Sequence, residues 1–189
     1  MVLNIGLRSV TKLTDSLWVE WTAKHILKSG LSKLCRISGI SCWAINSGSS
    51  LNIVMTEGNQ RPTRHAHIVG ILYLSKCYQI RDCYRVNYLR IRPKFRGRNI
   101  ARKLYRRLVL DFGYVIMSGK SQTQKSHRLW TQLCRMQRAR VWVYHGRSRR
   151  MWMARVEDGT VVSDGLVPHE HGTGVAMVFS ARKPSIRTS

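Results

Sequence analysis

Acidic residues are scarce. Nine Asp and Glu stand against 33 Lys and Arg in 189 residues, a net charge of +24. Soluble surfaces normally mix charges of both signs, so this imbalance points to a polyanionic partner rather than to simple solubility. Cysteine is sparse as well: Cys35, Cys42, Cys77, Cys83 and Cys134 make an odd number, with no pair at CxxC spacing. That speaks against a disulfide framework or a zinc site, and leaves the five as core residues of a protein in a reducing, cytoplasmic setting. No stretch approaches the ~20 apolar residues that cross a bilayer, so no membrane association is expected. Residues 1–12 lack the apolar centre of a secretory signal. Internal repeats and low-complexity blocks are missing. His169-Glu170-His171 puts alternate residues on one face of a strand, but the spacing is not that of a known metal site, and no metal is expected.

What is present is a core and a concentrated charge. Hydrophobic residues make up 43% of the chain, enough for one domain over residues 1–180 followed by a basic disordered tail at 181–189. Residues 81–150 carry twenty of the basic residues and two acids, Asp82 and Asp111. Arg outnumbers Lys by 23 to 10, and the guanidinium fork grips phosphate through two bonds. DNA or RNA is the expected partner; the oligomeric state is left open.

Periodicity and turn chemistry predict a helix over 15–29 and strands at 37–45, 51–56 and 67–74, with a polar loop at 57–64. A strand follows at 84–91, alternating Tyr84, Val86 and Tyr88 against Arg85, Asn87 and Leu89. Residues 99–113 make the clearest helix: Ile100, Leu104 and Leu108 line one face, and Arg102, Lys103, Arg106 and Arg107 the other, with Gly113 as the stop. A short buried strand at 114–118 comes next, then a helix at 122–136 and a strand at 140–144. A hairpin spanning 151–162 around Asp158-Gly159 and a strand at 175–179 complete a mixed α/β fold with a mostly antiparallel sheet flanked by helices.

The segment that carries chemistry joins the strand at 84–91 to the helix at 99–113. Pro93 ends the strand, Gly97 allows a tight turn, and the first amides of the helix have no internal partners. With Arg96 and Arg98 beside them and small Ala101 inside the helix, these amides form a phosphate or diphosphate site. The same residues resemble the GNAT superfamily of acetyl-CoA-dependent N-acetyltransferases. Arg96 stands at the first position of that family's Arg/Gln-x-x-Gly-x-Gly/Ala signature and Ala101 at the last, Asn99 replaces its first Gly, and Ile91 and Pro93 match the end of the preceding strand. The resemblance covers residues 84–144 and implies acetyl-CoA as acyl donor. The backbone of Leu89, Arg90 and Ile91 would then pair with the pantetheine arm, and the amides of Arg96, Gly97, Arg98, Asn99, Ile100 and Ala101 would hold the pyrophosphate.

Amide formation from a thioester needs a neutral amine and an acid for the departing thiolate. Many members of the family place a Tyr where this chain has Trp130, which reads as core packing. Ser118 and Tyr144, at the ends of their strands, are the substitute catalytic residues; the ordinary reading of each is a capped strand end or an interface aromatic. His65, His67 and Glu57 are candidate bases. Two functions follow. One is an acyltransferase acting on an amine of nucleic acid or of a nucleic-acid-associated substrate, for which phage Mom-type DNA-modifying proteins are an analogy of fold. The other is a GNAT-like module that has lost chemistry and binds nucleic acid through Arg102, Lys103, Arg106 and Arg107.

Overall fold

The computed structural model describes residues 30–62, 67–119, 123–163 and 174–187. The expected helix at 15–29, His65 and the His169-Glu170-His171 run lie outside the described residues. Within them the strands are β1 (Ser32–Ile37), β2 (Ile40–Asn46), β3 (Ser50–Glu57), β4 (Ile68–Cys77), β5 (Cys83–Ile91), β6 (Val115–Met117), β7 (Arg140–His145), β8 (Arg150–Met153), β9 (Arg155–Glu157), β10 (Thr160–Val162) and β11 (Val175–Ser180). The helices are α1 (Ile100–Leu110) and α2 (Gln124–Cys134). The architecture is thus mixed α/β and rich in strand. The described chain gathers into two compact units, each woven from separate stretches. One holds residues 30–45, 52–62, 67–72 and 90–98; the other holds 46–51, 73–89, 99–119, 123–163 and 174–187.

In the first unit, β1 and β2 form an antiparallel hairpin closed by Ile37 opposite Ile40. The two turn residues, Ser38 and Gly39, both have positive φ, 47° and 79°, the twist that two-residue hairpins require. One strand is expected at 37–45; the turn places β1 before it as a separate strand. The first five residues of β2 are buried, and the polar groups buried with them are satisfied. Ser41 Oγ donates to Gly58 O at 2.7 Å, Trp43 Nε1 donates to Thr56 Oγ1 at 3.0 Å, and Thr56 Oγ1 donates to Gln60 O at 2.9 Å. Further along, Arg92 N–H donates to Val69 O at 2.9 Å. At Gly70, in β4, a Cβ would stand 2.4 Å from Arg90 O and 3.1 Å from Ile91 Cα, so only glycine lets these backbones approach.

In the second unit the strand order is β5-β6-β11-β7-β8. β5 and β6 are parallel, and β6–β11, β11–β7 and β7–β8 are antiparallel. α1 buries Ile100, Leu104, Tyr105, Leu108 and Val109, the helical stripe read from the sequence. It ends where Gly113 turns left-handed at φ 69° and Tyr114 N–H reaches back to Leu108 O at 3.0 Å, so the glycine stop returns a donor to a carbonyl of the last turn. α2 buries Trp130 and Leu133, and Trp130 packs on Tyr105 with ring centroids 6.3 Å apart.

Two expectations are corrected here. The hairpin around Asp158-Gly159 joins β9 to β10 alone, while β8 pairs with β7. The segment expected as a disordered tail is anchored as far as Arg187: Ile186 bridges Ile80, Arg81 N–H donates to Ser185 O at 2.9 Å, and Arg187 N–H donates to Gln79 O at 2.9 Å. Ile186, apolar within a basic stretch, packs on the buried cluster of Cys77, Ile80 and Cys83, and that burial holds the segment in place.

Gly70→Ala is expected to lose about 3 kcal/mol, because the obstacle is backbone and cannot rotate away. Gly30→Ala is the control: its Cβ meets nothing within 4 Å, so its effect stays within about 0.5 kcal/mol. Urea denaturation of both variants measures the difference, and equal losses would refute the close approach.

Candidate functional site

Parallel strands require a crossover, and α1 supplies it between β5 and β6. The two strands pair at only three places, Cys83 with Val115, Tyr84 with Ile116 and Arg85 with Met117. β6 ends there, and β5 runs on past Leu89. A helix that follows a parallel strand begins near that strand's carboxyl end, the usual place for ligands in such sheets. The first helical bond of α1 is Lys103 N–H to Asn99 O, 3.0 Å, so the amides of Ile100, Ala101 and Arg102 precede the ladder. Asn99 stands before them in left-handed backbone, φ 58° and ψ 23°, with no side-chain bond to the helix and no acid in the first turn. α2 differs: Thr123 Oγ1 accepts Ser126 N–H at 3.2 Å. The start of α1 therefore keeps donors and positive dipole that no side chain compensates.

The cations of the preceding turn are engaged locally. Arg96 Nε donates to Ile91 O at 2.9 Å. The Arg98 guanidinium lies 5.2 Å and Lys94 Nζ 4.8 Å from the centroid of the buried Phe95 ring. These charges fold onto their own loop. Gly97 has φ 78°, and a Cβ there would meet nothing within 4 Å, so backbone conformation rather than room demands the glycine. Arg90 is exposed, and Leu89 and Ile91 are half-buried.

Ser118 and Tyr144 are both buried, but they do not share a face. Met117, Tyr144 and Val178 belong to one cluster, and Ser118, one residue beyond Met117, alternates to the other side. There Ser118 N–H donates to Met177 O at 2.7 Å and Ser118 Oγ accepts Met177 N–H at 3.0 Å, so this side chain ties the end of β6 to β11. Tyr144 is only 3% exposed, and among the described residues its hydroxyl has no hydrogen-bond partner. Burial pushes its phenol up and Cys77 adds to this, while Arg149 and Arg85 pull the other way. The sequence reading missed these two arginines as neighbours of Tyr144. Arg85 Nη2 also reaches Met117 Sδ at 3.3 Å, an inward turn that strand alternation alone does not distinguish from an exposed cation. Of the candidate bases, Glu57 is exposed at the end of β3 and His67 is half-buried just before β4.

On α1, Lys103, Arg106 and Arg107 are exposed and Arg102 is half-buried. Arg107 pairs with Asp111 one turn on, which removes part of its charge from the face. Arg147, Arg149 and Arg150 lie exposed between and at the ends of β7 and β8, within the basic block of the sequence. Among the described residues, no group of three or more His, Cys, Asp and Glu is placed to hold a metal ion. No helix among them is long and apolar enough to cross a membrane.

No protein-family model matches the chain, and no curated protein matches it. It is similar to the solved structure of an IAA acetyltransferase from Bacillus cereus, with 14% sequence identity over 70% of this chain and 77% of that one, at a TM-score of 0.37.

The two hydroxyls should answer oppositely to removal. Tyr144→Phe deletes a buried group without a partner and should stabilise by about 1 kcal/mol. Ser118→Ala strands Met177 N–H and should cost about 1–3 kcal/mol. Thermal and urea unfolding of the two variants test this, and a destabilised Tyr144→Phe would mean the phenol has a partner in solution.

Proposed function

We propose that this chain is an acyl-CoA-dependent N-acyltransferase that takes acetyl groups from acetyl-CoA to an amine on nucleic acid or on a nucleic-acid-associated substrate. The observation that carries this reading is the end of the β5–β6 pairing after Arg85 and Met117, with β5 continuing and α1 opening on uncapped amides. The amides of a pantetheine arm can add to an unpaired strand edge as a peptide does. A pyrophosphate suits the start of α1, where donors and dipole favour an anion.

In this reading the chain's own residues orient the thioester, keep water away and supply a proton. The neutral amine forms a bond to the acyl carbon while the bond to sulfur breaks; a donor protonates the leaving sulfur, and its deprotonated form takes the proton that the nitrogen gives up. Tyr144 is the better candidate of the two hydroxyls. Burial keeps its phenol protonated, and its hydroxyl is not engaged elsewhere among the described residues. Ser118 Oγ already serves the backbone of β11. The exposed cations of α1, with Arg102 at their edge, supply attraction for a polyanionic acceptor.

The second reading, a nucleic-acid-binding module without chemistry, draws on Trp130. It is buried against Tyr105 at the place where the resemblance expects a proton donor.

Calorimetry with coenzyme A and release of free thiol from acetyl-CoA separate the two. The parent should bind coenzyme A, and Gly97→Val, forced into left-handed backbone, should weaken it about tenfold or more. Tyr144→Phe should lose roughly 10²–10⁴ in rate while remaining folded; parent-level turnover would remove Tyr144 from the mechanism. Changing Arg102, Lys103 and Arg106 to Gln should flatten the salt dependence of DNA or RNA affinity by about 2–3 units in log–log slope. Nucleic-acid binding without any turnover would replace the enzyme by the module.

A further inference from the structure

Two of the five cysteines meet at the base of one strand connection. β4 ends at Cys77 and β5 begins at Cys83, with five residues between. A connection this short joins neighbouring strands in antiparallel fashion, since a parallel pair needs a dozen residues or more. β4 and β5 are neighbours in the sheet, and the two thiols hydrogen-bond to one another, a closeness from which a disulfide can form. Both thiols are buried in the same cluster with Ile80, Met117 and Tyr144, and each acts on the other. Cys77 Sγ lies 2.9 Å from Gln79 Oε1 and 3.8 Å from Met117 Sδ. The loop between the cysteines is clasped from outside by the Ile80–Ile186 bridge and by the bonds of Gln79 and Arg81 to residues 185 and 187.

We propose that Cys77 and Cys83 form a reversible dithiol that a hydroperoxide closes to a disulfide. The thiolate of Cys77 attacks the peroxide oxygen, the O–O bond breaks, and Cys77 becomes a sulfenic acid while an alcohol or water leaves. The sulfur of Cys83 then attacks that sulfur and water leaves. Two thiols are oxidised to one disulfide, and one peroxide is reduced.

The two thiols are unequal in the way this sequence of steps needs. Cys83 above all, then the backbone at Gln79 and the charge of Arg85, outweigh burial and bring Cys77 down to about 6. Cys83 is pushed up by Cys77 and by burial. At neutral pH Cys77 is thus the nucleophile and Cys83 the thiol that resolves it. Cys77 keeps 6% of its surface exposed, so the oxidant must be small. Its neighbours Tyr78 and Gln79 are exposed. The titratable and charged groups acting around Cys77 are Cys83 and Arg85 of β5 and Tyr144 of β7.

The test uses the full chain and hydrogen peroxide, followed by alkylation under denaturing conditions and peptide mapping. The expected product joins the peptides of Cys77 and Cys83 and is reversed by dithiothreitol. Its rate should fall about tenfold from pH 7 to pH 5 as the thiolate is protonated. Cys83→Ser should leave Cys77 as a sulfenic acid that dimedone traps. A wild-type protein whose Cys77 and Cys83 both remain alkylatable after oxidation, or in which only the facing pair Cys35 and Cys42 closes, overturns the proposal. Because the readout is the cross-link, it stands or falls separately from acyl transfer.

Discussion

Three residues of β6 hold the second unit together. Val115, Ile116 and Met117 are all buried. They pair with β5 on one side and, through Ile116 and Met117, with β11 on the other. Because the β5–β6 pair is parallel, it exists only if the intervening chain makes a crossover of sufficient length, and α1 is that crossover. The apolar stripe of α1, its glycine stop at Gly113 and the shortness of β6 are therefore one constraint. A longer β6 would cover the edge of β5, and a shorter one would lose the ladder that carries β11 and β7.

Satisfaction of polar groups is uneven, and the unevenness is informative. Trp43, Thr56 and Gln60 form a closed relay in the first unit, and Ser118 and Thr123 serve backbone amides in the second. Against that background two groups stand out: the hydroxyl of Tyr144, which has no hydrogen-bond partner among the described residues, and the start of α1, which has no side-chain cap. Each costs stability that an ordinary substitution would recover, Phe at the first and Asp or Ser at the second.

Legibility in the sequence followed the range of the interaction. α1 was readable because its stripe, its opening turn and its stop all lie within fifteen residues. The β9–β10 hairpin was readable from Asp158-Gly159. The Ser38-Gly39 turn was not, because serine seldom takes left-handed backbone. The anchoring of Ile186 was not, because one isoleucine among basic residues has no period, and its partner Ile80 lies far away in sequence. The opposite facing of Ser118 and Tyr144 depends on the registers of β6 with β11 and of β11 with β7. Strand ends can be placed from sequence, but register between distant strands cannot.

Charge sets the last condition on the fold. The ion pairs Arg81–Asp82, Arg107–Asp111 and Arg155–Glu157 are local in sequence and exposed, so each contributes little. The remaining positive charge repels itself in the folded chain, and stability must come from the apolar interior. Fully buried residues such as Leu51, Ile53, Leu72, Leu104 and Phe179 supply that interior. A polyanion that binds the folded protein relieves the repulsion and stabilises it by mass action. High salt screens the repulsion between exposed charges and weakens the polyanion at the same time. In the proposed complex, salt would strengthen the free protein and loosen the bound polyanion, and the two effects would be separable because only the second depends on polyanion concentration.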